Sequence, residues 1–150
     1  MVIDFLLACA HHLALIALVS ILAAEFALVR PGLSGPRIQQ LARIDMGYGL
    51  AAMAMLAAGF GRVFFGAVDA GYYWGNHSFW GKLAVFALIG LISIIPTLQF
   101  RRWAKAGAAD ADYVPPAGEL ATSRRLVHLQ MGLLLLIPIF AAAMARGFGG

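Results

Sequence analysis

A few ionisable side chains stand inside long apolar runs of this chain, and their types allow redox, metal or proton chemistry. His11 and His12 are adjacent in the first run, and an imidazole can ligate a metal or haem iron or carry a proton. Arg62 closes the second run and Lys82 opens the third; a lysine can pair with a carboxylate or, deprotonated, bind iron. Glu25, Asp45 and His128 form a second group near the opposite ends of their runs, and carboxylates with an imidazole suit proton transfer. A charge buried in hydrocarbon costs a few kcal/mol on insertion scales, so each such residue is a functional candidate.

Each candidate also has a plainer role. A histidine in lipid serves as a neutral hydrogen-bond partner between helices. Lys82 and Arg62 can snorkel from helix ends. Tyr72, Tyr73, Trp74 and Trp80 suit an interfacial aromatic belt, and His77 suits an exposed loop. Glu25, Asp45 and His128, with Arg124 and Arg125, can form a salt-bridge cluster that fixes helix register. Gly59 allows close helix packing, or room for a flat ligand.

Spacing sorts these residues by depth and face. His11 and His12 lie about 12 Å below one end of their helix and Lys82 about 5 Å, with a stem long enough to reach down. Neighbours on a helix point about 100° apart, so one pocket takes His11 or His12 rather than both. His128 lies roughly 10 Å from that level, too far to share one iron with either. Glu25 and His128 share a depth and are expected to pair. Asp4, His11, Leu18 and Glu25 recur every seven residues, as one bundle seam. Asp45, Tyr48, Ala52, Met55, Gly59 and Arg62 make a stripe of threes and fours on the second run, and Lys82, Phe86, Ile89, Ser93 and Pro96 another on the third.

The elements that carry these stripes are transmembrane helices. Of the 150 residues 62% are hydrophobic and only 12% charged, against about 25% charged in soluble domains. Mean hydropathy is +0.84. Four runs, Ile3–Val29, Ile44–Val68, Phe79–Phe100 and Leu126–Ala145, each reach the roughly 20 residues that cross a bilayer. The fold class is therefore all-α: one integral membrane domain, a four-helix bundle in contact with the lipid bilayer. The stretch 101–125 reads as a mobile connector, because it contains Gly107, Asp110, Asp112 and the Pro115-Pro116 pair.

Basic residues set the orientation. Eight of the eleven Lys and Arg (Arg30, Arg37, Arg43, Arg101, Arg102, Lys105, Arg124, Arg125) lie in the first and third connections, and three (Arg62, Lys82, Arg146) at the other side. The positive-inside rule then puts 101–125 in the cytoplasm and both termini outside. The net charge of +4 comes from these flanking anchors, so nucleic acid is not an expected partner. Cys9 is the only cysteine, which excludes an intrachain disulfide and a Cys-x-x-Cys site. No phosphate loop, dinucleotide fingerprint or serine triad is present.

His11-His12, Glu25, Arg43-Ile44-Asp45, Gly47-Tyr48-Gly49, Gly61-Arg62, Phe79-Trp80-Gly81-Lys82-Leu83 and Ser93-Ile94-Ile95-Pro96-Thr97 run through the whole chain, and together they resemble a family of four-span bacterial membrane proteins of unknown function. The early histidine and the Trp80-x-Lys82-Leu83 segment also resemble HemJ-type protoporphyrinogen oxidases and CopD-type copper-resistance membrane domains, with one residue fewer between Trp and Lys. The HemJ likeness implies haem b bound by His11 or His12 and by Lys82, in a bacterial inner membrane protein; Glu25 and its acidic neighbours lie outside that pattern. The expectation is a haem b protein with a redox or electron-transfer role, Arg62 and Gly59 supporting the cofactor, and a redox partner or porphyrin-type molecule as its counterpart. The rivals are a small proton-coupled transporter or metal-handling protein using Glu25, Asp45 and His128, and a cofactor-free assembly subunit, each open to homo-oligomers.

Overall fold

The computed structural model describes residues 2–148 and is built from helices: α1 (Val2–Leu28), α2 (Pro36–Phe65), α3 (Ala70–Gly75), α4 (His77–Ala109), α5 (Ala117–Leu134) and α6 (Leu136–Ala145). Four segments are long and apolar enough to cross a membrane: α1, α2, α4 and the α5–α6 pair. The chain is an all-α, multi-pass membrane bundle. Spans are arranged in a ring, with α1 against α2 and α5, and α4 against α2, α5 and α6. The α1–α2 contact is the most extensive of these.

Each helix buries one stripe and gives the rest to lipid. On α1 the buried residues are Ala14, Leu18, Leu22 and Glu25, spaced by fours and a three, while Leu13, Ile16 and Val19 are exposed. Among hydrocarbon chains an exposed leucine costs nothing, so the inward face is set by packing and polar contacts. The seam expected from the sevenfold spacing does face α2. Asp4 lies 3.9 Å from Arg62, His11 meets Met55, and Leu18 and Glu25 are buried.

Three boundaries differ from the sequence expectation. α2 begins at Pro36, eight residues before Ile44, and ends at Phe65. Proline suits the first helical turn, where its missing N–H has no partner to lose, and Ile38 and Leu41 extend the buried stripe to the start of the helix. Gly32 and Gly35, with φ of +85° and +54°, make the turn that separates α2 from α1. The stretch 101–125 is not a mobile connector. α4 continues to Ala109 and α5 starts at Ala117, leaving only a short link. Fully buried Trp103 anchors the junction: its indole Nε1 donates to Glu119 Oε2 at 2.8 Å, and Arg102 pairs with the same carboxylate. Gln39 Nε2 donates to the Ala104 carbonyl at 2.6 Å and ties α2 to this end of α4. The fourth span breaks at Leu135, three residues before Pro138, which has no N–H for the Leu134 carbonyl.

The link between α2 and α4 carries the short helix α3 and two side-chain caps. Asp69 Oδ1 accepts from the Gly71 N–H at 2.8 Å, and Asn76 Oδ1 from the Ser78 and Phe79 N–H groups. The aromatic residues expected as an interfacial belt pack on one another here, with Tyr72, Trp74 and Trp80 still exposed. Trp74 meets Phe79 and Trp80 with ring centroids at 5.7 and 5.8 Å, and Tyr73 meets Phe79 at 5.6 Å. Tyr72 donates its hydroxyl to the Met144 carbonyl at 2.8 Å, closing the cluster onto α6.

Candidate functional site

His11 projects from α1 onto α2, where its Nδ1 lies 3.2 Å from the Met55 carbonyl oxygen. A carbonyl only accepts, so this bond requires the proton on Nδ1. A neutral imidazole then keeps a bare lone pair on Nε2, the arrangement seen where a backbone oxygen orients a metal-binding histidine. Nε2 has no hydrogen-bond partner among the described residues.

Gly59, one helical turn beyond Met55, makes this approach possible. A Cβ on Gly59 would lie 3.3 Å from His11 Cε1 and 3.4 Å from Nδ1. The space that the sequence reserves for a flat ligand beside Gly59 is thus taken by the His11 ring. Gly61 likewise admits α1 closely, since a Cβ there would lie 2.9 Å from Leu7. Small residues of α2 let α1 settle close enough for a side chain to reach the neighbouring backbone.

His11, Gly59 and Lys82 share one pocket, with walls that include Met55, Phe79 and Phe86. Its lining is almost wholly apolar apart from His11 and Lys82. Lys82 Nζ stands 5.5 Å from the centre of the Phe79 ring and is close enough to His11 and Arg62 to interact electrostatically. Arg62 sits beside the pocket, facing Asp4 across 3.9 Å, and its buried Nε makes no hydrogen bond among the described residues. His12 is elsewhere. It is exposed, and its Nδ1 sits 2.7 Å from the Ala8 carbonyl of its own helix.

The donors of this pocket fit a haem: an oriented imidazole with a bare Nε2, an amine in the same pocket, apolar walls, and a guanidinium nearby for a carboxylate. Room is shorter. The pocket offers about 50 Å³, against roughly 300–1,000 Å³ in pockets that take small molecules. A tetrapyrrole therefore needs α2 and α4 to separate. Those helices already leave a larger groove, about 480 Å³, at the other side of Phe86, which lines both spaces. Among the described residues no three His, Cys, Asp or Glu side chains converge as a metal cluster.

The groove leads to the second group of polar residues. Asp45 and Tyr48 are both 5% exposed and both line it. Asp45 Oδ1 accepts a 2.7 Å hydrogen bond from Thr97 Oγ1 of α4. Glu25 of α1 is 2% exposed, close enough to Asp45 and Tyr48 to interact electrostatically, and its Oε1 is buried with no partner among the described residues. His128 does not join this group. Its ring packs on Phe26 at 4.2 Å, its Nδ1 lies 2.7 Å from the Arg124 carbonyl, and it is exposed. The expected Glu25–His128 pair is not formed, because equal depth on α1 and α5 left their faces undetermined.

Sequence reasoning missed the Met55 carbonyl, since a backbone acceptor has no residue signature. Thr97 and Arg101 were also missed as partners of Asp45, although α4 carries them on the groove side. The model of the DUF2214 family, described as a predicted membrane protein, matches residues 3–149, nearly the whole chain. Comparisons with curated proteins and with solved structures gave no match. Since the family model spans both the pocket and the groove, the chain belongs to the DUF2214 family of predicted membrane proteins.

Proposed function

We propose that this protein binds a b-type haem between α1, α2 and α4 and serves a redox or electron-transfer role in the bacterial inner membrane. The observation that carries the reading is His11: its Nδ1 is held by the Met55 carbonyl, its Nε2 is left bare, and the residue lines an apolar pocket together with Lys82. His11 would hold the iron, and Lys82 would supply the second ligand or, with Arg62, hold a propionate. Bound there, haem supplies one-electron chemistry, while the protein supplies ligands, orientation and a dry wall. The resemblance of His11 and the Trp80-Gly81-Lys82-Leu83 segment to HemJ-type oxidases supports the same cofactor and suggests porphyrin-type substrates. Residues that orient and desolvate are Met55, through its carbonyl, and Phe79 and Phe86, through their rings. The eight-to-three distribution of basic residues supports a topology with both termini outside.

The test is the Soret absorbance of detergent-purified protein, before and after titration with hemin. The wild type is expected to show the band, His11→Ala to lose it, Lys82→Ala to weaken or shift it, and His12→Ala and His128→Ala to keep it. Protein that neither carries nor takes up haem would overturn the reading and leave proton-coupled transport, metal handling or an assembly role ahead.

A further inference from the structure

The acidic group around Asp45 does not belong to the haem reading, and its burial calls for its own account. Glu25 and Asp45 come from different helices, are 2% and 5% exposed, and are close enough to interact. Two carboxylates left charged together in a membrane interior would have one cation, Arg101 beside Asp45, to offset both charges. The charged and titratable groups around them are few. α2 supplies Tyr48 beside Asp45, and α4 supplies Arg101 within electrostatic reach of Asp45. From α5 the nearest candidate, His128, is turned to Phe26 and the Arg124 carbonyl. Glu25 Oε1 faces none of these as a hydrogen-bond donor and is orphaned in the interior. A buried polar atom of that kind calls for a missing partner.

The groove between α2 and α4 gives that partner a route. It is lined by Arg101 at one end, by Thr97, Asp45 and Tyr48 in its middle, and by Phe86 at the far end. Arg101 is exposed, and α4 carries it in the basic segment beyond the hydrocarbon. Glu25 does not line the groove but stands within reach of the two residues that do. Asp45 is thus the accessible member and Glu25 the deep one.

We propose that Glu25 and Asp45 form a proton-binding site that holds one exchangeable proton, loaded through the α2–α4 groove from its Arg101 end. In the loading step hydronium gives its proton to the Asp45 carboxylate, forming an O–H bond and releasing water. The proton then passes to Glu25, leaving Asp45 as the carboxylate that accepts from Thr97. Loading takes the pair from two negative charges to one, and Arg101 can offset the charge that stays on Asp45. Asp45 accepts from Thr97 on one oxygen only, so its other oxygen remains for the exchange. This site stands independently of what fills the His11 pocket.

Infrared spectra of the full chain in lipid nanodiscs, in ¹H₂O and ²H₂O, read the protonated carboxyl directly. At neutral pH the wild type is expected to show a protonated-carboxyl band that shifts on deuteration. Glu25→Gln should remove it. Thr97→Val, which keeps size and adds no charge, should keep the band but shift its frequency, because the Asp45 carboxylate loses the hydroxyl that stabilises it and draws the shared proton toward itself. That variant carries the test if Glu25→Gln does not fold. Absence of any protonated-carboxyl band at neutral pH would overturn the proposal. So would a band indifferent to Glu25→Gln, Asp45→Asn and Thr97→Val, or one that sodium ions abolish, which would assign the pair to a metal cation. None of these results depends on a Soret band, so failure here and failure of the haem reading are read separately.

Discussion

Replacing Gly59 by alanine should weaken cofactor binding while leaving the bundle standing. The added Cβ would sit 3.3 Å from His11 Cε1 and 3.4 Å from Nδ1, so the imidazole must withdraw by a few tenths of an ångström. Its hydrogen bond to Met55 is already 3.2 Å and has little length to give. Losing that bond costs about 0.6 kcal/mol, a typical value between membrane helices. Removing a glycine from a helix interior returns up to about 1 kcal/mol. The two nearly cancel, so unfolding in a denaturing detergent titration should move by less than about 1 kcal/mol. Ligand orientation has no such compensation. Loss of the partner that fixes a metal-binding histidine lowers affinity about 10- to 100-fold, at about 1.4 kcal/mol per tenfold. Hemin titration followed at the Soret band should therefore show that drop for Gly59→Ala. Gly132→Ala on α5, where a Cβ meets nothing within 4 Å, should show none. Equal affinity for Gly59→Ala and wild type would refute the orienting role of Met55, and an equal loss in Gly132→Ala would mark the effect as unspecific.

Other outcomes follow from the same contacts. Trp103→Ala removes a fully buried indole and its bond to Glu119, and should cost about 3–5 kcal/mol in the same denaturing titration. Asp4→Asn should change stability by less than about 1 kcal/mol, since its 3.9 Å ion pair with Arg62 is half-exposed. A single cysteine at Ala108, in a Cys9→Ser background, should react with impermeant reagent from the cytoplasmic side; reaction from the outside alone would reverse the proposed topology. Widening the wall between pocket and groove by Phe86→Ala should raise the hemin association rate, and an unchanged or slower rate would argue against separation of α2 from α4.

The legible features of this molecule were those set by solvent and by period. Hydropathy located four spans because hydrocarbon tolerates few charges, and the sevenfold spacing of Asp4, His11, Leu18 and Glu25 located the α1 face that meets α2. Depth grouped His11 with Lys82 correctly, since rise per residue is constant along a helix. Depth alone failed for His128, because rotation about α5 depends on which helices flank it. Span ends failed wherever helix outlasted hydrocarbon. Pro36 and Trp103 lie in polar segments whose order comes from proline at the helix start and from tertiary contacts such as Gln39 with Ala104 and Trp103 with Glu119, which no hydropathy window registers. The choice between His11 and His12 needed the neighbouring backbone: one reaches Met55 across Gly59, the other folds back to Ala8.

The two seams around α2 differ in a way that bears on mechanism. Against α1 the contact is close and keyed by glycines, with Leu7 over Gly61 and His11 over Gly59, so these two helices act as one wall. Against α4 the contact is slighter, and both the pocket and the groove lie along it, divided by Phe86. A ligand too large for about 50 Å³ will open the seam that costs less to open. Thr97 is the polar stitch across that seam, holding Asp45 from α4. Separating α2 from α4 strains that stitch and exposes Asp45 further to the groove. The His11 pocket and the Asp45 groove thus lie along the one seam of α2 that is not keyed by glycines, with Phe86 as their common wall.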